Sequence, residues 1–532
     1  MDRRDEILDA RLRAALSRAY ETLQTAPPLR RRDPFRPRPR RSRAILAATL
    51  AITIVLGMTG VAVAFGALHP RTIGSTRPAG EADSPSPSPS ATQTGTSPVT
   101  SARPLPSPDR RTTPAAALRC AAGANGGATD VGVYAGAIDL ASTVVGSGPT
   151  QNQLGPARYG IQAVVDRVNR AGGICGRRLT LMLKDDGGDA STGKTYIDNF
   201  IQSSHFFALA VVPSPEGLLA ASQAGDIDRA GIPVVGVNGM QFGDHRDPWL
   251  WPVAASDINA ARVMAHNAIA GGADKLGVVY DETYRVNFEA AGAFISEAQR
   301  EGHQVPQECR VALRAGQPDY AAQVRQFDDS CAAASKGVDF VALLLQPQTA
   351  QTWIGDAPYL GTRPDGSGHG AGAAQELSTP QFLDSCGQPC TNLALFASIY
   401  PAASPFDQVP EVQAYRQDLC AVDTDCAVHA GNLNVEAAYS GMDLLVQALQ
   451  ATGPNLTRAR LRSTLDSMEL RSRLSLHFSA PGVGGGRSMR ALLPVFQSSQ
   501  SLTGTTFQFT GFRYADSRAE SDPCPNCADP PP

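Results

Sequence analysis

Residues 147–186 constrain the fold more than any other stretch, because they set out a loop, a helix, a glycine turn and a strand in unbroken succession. An apolar run at 131–140 precedes them and reads as a first strand. Ser147-Gly148-Pro149-Thr150 and Leu154-Gly155-Pro156 then carry turn chemistry. A helical run follows, and Ala171-Gly172-Gly173-Ile174-Cys175-Gly176 closes it ahead of Arg177-Arg178-Leu179 and Lys184-Asp185-Asp186. Glycine and proline at such points end one regular segment and start the next. The order puts a polar loop beyond the carboxyl end of a strand, where open α/β sheets bind small ligands. No nucleophile, acid–base pair or metal-ligand set lies in it, so the unit reads as a binding element.

The same alternation continues along the chain. Residues 207–212 read as a strand, 217–230 as a helix, and 231–237 as a buried strand. A second set opens with Lys275-Leu276-Gly277-Val278-Val279-Tyr280 and a helix through 288–301, and continues in the apolar runs 339–345 and 393–397. Continuous apolar strands alternating with helices predict parallel sheets covered on both faces. The folded part, about 119–518, is too long for one core. We therefore expect an α/β architecture of two lobes, each a doubly wound parallel sheet, joined by hinge strands and preceded by one transmembrane helix.

The amino-terminal region says where the lobes sit. Residues 44–68 carry no charged side chain, and about 20 apolar helical residues suffice to cross a hydrocarbon core of ~30 Å. Arg30-Arg31-Arg32, Arg36, Arg38, Arg40, Arg41 and Arg43 precede the run, with only Arg71 and Arg77 close behind it. Positive residues stay cytoplasmic. The expected layout is a cytoplasmic basic arm at 1–43, a single-pass anchor at 44–68 and an extracellular remainder. Ala62-Val63-Ala64 also fits a signal-peptidase site, but the length of the run and the forty-odd residues before it favour an uncleaved anchor. Leu8, Leu12, Leu16, Ala19 and Leu23 recur at helical spacing in the arm, as a helix on the membrane surface, on a partner, or simply solvated. Residues 69–117 are rich in Ser, Pro and Thr, a composition that stays extended at about 3 Å per residue. Such a tether reaches roughly 100 Å from the bilayer, as a thick cell wall requires.

Ten cysteines follow the apolar run: Cys120, Cys175, Cys309, Cys331, Cys386, Cys390, Cys420, Cys426, Cys524 and Cys527. An even count outside the membrane predicts structural disulfides in an oxidising compartment. Connectivity is not fixed by sequence; nearest-neighbour pairing joins 309 to 331, 386 to 390, 420 to 426 and 524 to 527, leaving Cys120 for Cys175. Cys524-Pro525-Asn526-Cys527 has redox spacing but opens no helix that would lower a thiol pKa. Cys386, Cys390, Cys420 and Cys426 lack the histidines of a zinc site. No cofactor and no metal is implied. Formal net charge is −3, and no basic stripe follows the arm, which argues against nucleic acid as a partner.

Ser147-Gly148-Pro149, Gly155-x4-Gly160, Asn169-Arg170-Ala171-Gly172-Gly173-Ile174-x-Gly176, Asp185-Asp186 and Ala230-Gly231-Ile232-Pro233 together resemble the type I periplasmic binding proteins, in their leucine/isoleucine/valine- and amide-binding branch. The resemblance covers nearly the whole extracellular part. It implies a ligand-binding domain at 118–518 with three hinge crossings, expected near 250–253, 370–376 and 490–496. Lobe 1 is then about 118–252 and 376–490, lobe 2 about 253–375 and 491–518, with a Pro/Cys-rich tail at 519–532. It also implies pocket positions. Ser214 and the helix start at Gly217 stand where the family binds a carboxylate, although Glu216 opposes an anion there. Asn238 replaces a common threonine, and Tyr284 sits where an aromatic covers the ligand. Gln346 replaces another aromatic, Glu376 is the candidate acid for an amino group, and Tyr400 ends a strand that faces the cleft. These departures leave the amino-acid ligand of well-known members unassigned.

Two functions fit. One is capture of a small polar solute for an ABC permease; the other is a ligand-sensing ectodomain coupled to a signalling partner. A flexible Ser/Pro tether transmits conformational change poorly, which favours capture. The eight histidines are scattered and form no nucleophile–base arrangement, so an enzyme is not expected.

Overall fold

Strand β1 (Ala137–Val144) is buried along its whole second half, as a strand covered on both faces must be. It belongs to a five-stranded sheet of order β2-β1-β3-β4-β5, with β2 at Arg178–Asp185, β3 at Ala208–Ala210, β4 at Val234–Val237 and β5 at Leu250–Pro252. The computed structural model describes residues 124–148, 150–237, 247–253, 255–332, 337–357, 370–377, 380–399, 406–467, 473–474, 492–503 and 506–519, all within the unit Thr100–Pro532. The expected cytoplasmic arm, anchor, tether and tail lie outside the described residues. No described helix is long and apolar enough to cross a membrane.

Every pairing in the first sheet is parallel, so helices must carry the chain back between strands. Helix α1 (Ala157–Arg170) buries Ala157, Gly160, Ile161, Val164 and Val168, the i, i+3, i+4 stripe of a helix laid on a sheet. Helix α2 (Ala190–Ser203) starts at Asp189, whose side chain accepts from the Thr192 N–H, satisfying one of the otherwise orphaned first-turn donors. Helix α3 (Pro215–Gln223) follows β3 directly. The turn between α1 and β2 is closed by paired backbone hydrogen bonds between Ile174 and Arg177, with Cys175 held at φ +52°.

The second sheet has seven strands in the order β12-β11-β10-β9-β8-β6-β7. They are β6 (Leu276–Asp281), β7 (Arg310–Leu313), β8 (Phe340–Leu344), β9 (Ala371–Ala373), β10 (Leu393–Ala397), β11 (Leu492–Thr503) and β12 (Thr506–Ala519). From β7 to β10 the pairings are parallel. At the β11 edge the expectation of a wholly parallel sheet fails: β10 pairs antiparallel with β11, and β11 with β12. Only residues 504 and 505 separate β11 from β12, far too few for a crossover.

Helices α4 (Asp257–Ala270) and α5 (Arg285–Arg300) pack together and against β8, around a core that includes Met264, Phe294 and Leu344. Helix α6 (Pro347–Asp356) follows β8. The chain then returns to the first lobe, where α7 (Pro410–Cys420) and α8 (Leu433–Thr452) lie against α1, and α9 (Arg458–Ser467) against α8. The passages between sheets thus fall between β5 and α4, between β10 and α7, and between α9 and β11. The second differs from the expected crossing at 370–376. That stretch is β9, hydrogen-bonded between β8 and β10 in the interior of the second sheet, so residues 376–397 belong with lobe 2.

Cys309 is bonded to Cys331, Cys386 to Cys390 and Cys420 to Cys426, the nearest-neighbour pairs. Cys175 is also disulfide-bonded; Cys120, Cys524 and Cys527 lie outside the described residues. Among the described residues no cluster of His, Cys, Asp and Glu could hold a metal ion.

Candidate functional site

The carboxyl ends of the strands in each sheet carry the loops in question. In the first lobe, the loop after β1 is fixed by Asp185 at the end of β2. Its carboxylate accepts from the N–H groups of Gly146 at 2.7 Å and Gly187 at 3.0 Å. Burial pushes the Asp185 carboxyl up, but the Ser147 hydroxyl and the N–H groups of Gly187, Gly146 and Ser147 together outweigh it and hold the group below its ordinary range. A helical turn at Gln151–Leu154 follows and presents Gln153. The carbonyl of Gln153 accepts from Asn432 Nδ2 at 3.1 Å and Asn434 Nδ2 at 3.3 Å. Asn432 caps α8 by accepting from the Asn434 N–H at 2.8 Å, so the start of one long helix props up the loop.

Gln153 Nε2 donates to Gln346 Oε1 of the second lobe at 2.7 Å. Gln346 stands at the residue before α6 without a side-chain capping bond, and its Nε2 instead donates to Asn287 Oδ1 at 2.9 Å, in the first turn of α5. A chain of amides therefore runs from α8 through the β1 loop and across to the loops after β8 and β6. Gln346 was among the positions expected from the sequence; Gln153, Asn287, Asn432 and Asn434 were not.

Tyr284 stands at the start of α5, half-buried, and burial followed by the charge of Asp281 pushes its hydroxyl pKa up. Asp281, fully buried at the end of β6, accepts from Thr349 Oγ1 at 3.0 Å and the Thr283 N–H at 2.9 Å. This carboxylate staples β6 to α6 and sets the spacing between Tyr284 and Gln346. Glu376 lies half-buried in the short turn Gln375–Leu377 after β9. Its neighbour Gln375 accepts from the Ser398 N–H at 3.1 Å, tying the ends of β9 and β10.

Ser214 behaves differently from expectation. It precedes α3 but is only 1% exposed, and it lies beside Asp186 and Thr143, which are also buried. Burial raises the Asp186 pKa; the Gly188 N–H and then the hydroxyls of Ser214 and Thr143 oppose the shift. The Gly188 bond is 2.9 Å, whereas Thr143 Oγ1, Ser214 Oγ and Asp186 Oδ2 make no well-formed hydrogen bond. The Ser214 hydroxyl thus faces an internal carboxylate instead of solvent. Glu216 is partly exposed in the first turn of α3. Just upstream, Val211 holds φ +45°, a costly conformation for a β-branched residue and of the kind that clusters at functional loops. Asn238 and Tyr400 lie outside the described residues.

A family model described as periplasmic binding protein matches residues 138–487. No relative is found among curated protein sequences. Among solved structures, the chain is similar to a Rhodopseudomonas palustris solute-binding protein of an ABC transporter in complex with p-hydroxybenzoic acid, at 15% identity, covering 71% of this chain and 97% of that one with a TM-score of 0.55. It is similar to a fatty acid ABC transporter substrate-binding protein from Thermomonospora curvata, at 17% identity over 74% and 94% of the two chains with a TM-score of 0.53. A third is the branched-chain amino acid transporter substrate-binding protein of Streptococcus pneumoniae in complex with isoleucine, at 15% identity over 71% and 99% with a TM-score of 0.51.

Proposed function

The chain belongs to the type I periplasmic binding proteins, and on that footing we propose that it captures a small polar solute between its lobes as the substrate-binding component of an ABC uptake system. The observation that carries this reading is the 2.7 Å hydrogen bond from Gln153 to Gln346, which joins the strand-end loops of the two sheets. Those loops are where open α/β sheets bind ligands, and a solute held between them would be gripped from both sides. The similar structures are named as a fatty acid ABC transporter substrate-binding protein, a solute-binding protein of an ABC transporter in complex with p-hydroxybenzoic acid, and a branched-chain amino acid transporter substrate-binding protein in complex with isoleucine. They support solute capture as a class and differ among themselves in cargo.

In this reading Gln346, Tyr284 and Glu376 supply the second lobe's share of the pocket. Residues 44–68 anchor the protein, the Ser/Pro tether of 69–117 gives it reach, and the binding domain lies outside the cell. A thermal-shift screen of the full chain in detergent against amino acids, amides, sugars, polyols and aromatic acids tests the proposal. A ligand at a hundredfold excess over Kd adds about 2.7 kcal/mol to the folded state. If no member of any class raises the transition, solute capture is the wrong function.

A further inference from the structure

We propose that the cleft selects a neutral solute bearing hydroxyl or amide groups and discriminates against carboxylates, amino-acid zwitterions included, with Gln153, Asn287 and Gln346 reading it; this rests on the solute-capture function above. Among the described residues, the strand-end groups that bond between the lobes are primary amides, each with two N–H donors and a carbonyl acceptor. The described bonds use one N–H of Gln153, one N–H and the carbonyl of Gln346, and the carbonyl of Asn287. The side-chain Oε1 of Gln153 and the NH2 group of Asn287 have no described partner, and each of the two glutamines keeps a second N–H. A set that both donates and accepts, without net charge, matches a group that does the same. Hydroxyls and amides qualify, whereas a carboxylate only accepts and an ammonium only donates.

Three of the described arginines beside the strand ends are already engaged. Arg158, in the first turn after the β1 loop, lies 4.6 Å over the Tyr159 ring and donates to its hydroxyl at 2.8 Å. Arg285 pairs with Glu289 at 2.7 Å, and Arg314, just beyond β7, pairs with Glu282 at 2.6 Å. The start of α3, which would otherwise attract an anion, carries Glu216 in its first turn and Asp186 against Ser214. A ligand carboxylate entering there would lose its hydration without gaining a cation, and such burial is strongly unfavourable.

Isothermal titration of the full chain with myo-inositol, N-acetylglucosamine and acetamide, set against isoleucine, glutamate and 4-hydroxybenzoate, tests the inference. At least one neutral probe should bind, and Gln153→Leu and Gln346→Leu should each weaken it about tenfold or more, as loss of a polar pair in a desolvated site does. The unliganded thermal transition of both variants should stay within a few degrees of the parent, because Gln153→Leu removes one marginal interlobe bond and Gln346→Leu that bond and its bond to Asn287. Binding by the carboxylates alone, or neutral binding that both leucine variants retain, overturns the inference while leaving solute capture standing. Silence from every probe removes both.

Discussion

The contact between β4 and α8 offers a test in which the magnitude follows from geometry. Gly236 near the end of β4 has φ +86°, and a Cβ on it would stand 2.3 Å from Gly441 Cα in the middle of α8. In the reverse direction, a Cβ on Gly441 would stand 2.6 Å from the Gly236 carbonyl oxygen and 2.8 Å from Val211 Cγ2. Both glycines are buried, so neither side chain can turn outward. Gly236→Ala incurs about 1–2 kcal/mol for the left-handed backbone and about 1–3 kcal/mol for overpacking, hence roughly 2–5 kcal/mol in all. Gly441→Ala incurs the same kind of overlap but recovers up to about 1 kcal/mol of helix propensity, so about 0–2 kcal/mol remains. Both methyls compete for one gap. Once the first has forced α8 away from β4 the second meets less resistance, and the double variant should fall short of additivity by about 0.5 kcal/mol or more. Displacing α8 also moves Asn432 and Asn434, which hold the Gln153 carbonyl, so solute affinity should weaken with stability. Equilibrium urea unfolding of the three variants, at unchanged m-value, measures the stability terms. A Gly236→Ala change below about 0.5 kcal/mol, or strict additivity, refutes the close-contact argument, since surface-like substitutions stay within that range.

Three further outcomes are expected. Arg177 is buried and donates to the carbonyls of Tyr134 at 2.8 Å, Gly127 at 2.8 Å, Pro454 at 3.0 Å and Asn125. Arg177→Ala should therefore lose about 3 kcal/mol or more, and a urea midpoint near the parent's would show that water replaces the guanidinium. Asp186 has its folded pKa raised by burial, so the folded state binds its proton more readily than the unfolded state, and this group's contribution falls as pH rises from the ordinary carboxylate range to the raised value. Asp186→Asn should flatten that acid-side slope while matching or exceeding parental stability at neutral pH; an unchanged slope in a urea series across the acid range would remove the buried carboxylate from the account. Reducing Cys309–Cys331, which spans 22 residues, releases a loop whose closure is worth about 3 kcal/mol, and paired serine substitutions should lower the urea midpoint accordingly.

The two lobes were legible because parallel strands buried on both faces must be written as continuous apolar runs, such as 339–345 and 275–280. The local disulfides were legible from proximity in sequence. Strand β9 was not, because it reads Ala371-Gly372-Ala373 and has no apolar signature. Its smallness has a packing cause: a Cβ on Gly372 would stand 2.5 Å from Phe340 Cζ and 2.9 Å from Met264 Sδ. The neighbours supply the bulk, so the strand is silent in the sequence and the crossing was placed there in error. Of the candidate site, Gln346 was singled out because it follows an apolar strand directly. Gln153, Asn287, Asn432 and Asn434 come from four segments with no common spacing, and only the fold brings their amides together.

Ser214 marks the limit of reading loops as exposed. A serine between two prolines ahead of a helix has the sequence of an anion-binding turn, and a helix start does favour negative charge. Here the negative charge that reaches the serine belongs to the protein. The carboxylate of Asp186 accepts from the Gly188 N–H and lies against Ser214 and Thr143, so the loops after β1, β2 and β3 are drawn together around one buried acid. Gly193 of α2 and Gly217 of α3 approach closely beside it; a Cβ on Gly193 would stand 2.9 Å from both Asp186 Oδ2 and Gly217 Cα. The same residues that would receive a ligand carboxylate are thereby spent on rigidity of the first lobe. On the proposed reading, recognition is left to groups that project between the lobes, and the described ones that meet there, Gln153 and Gln346, carry no charge. A protein built this way would distinguish solutes by the pattern of their donors and acceptors, with ionic attraction contributing little.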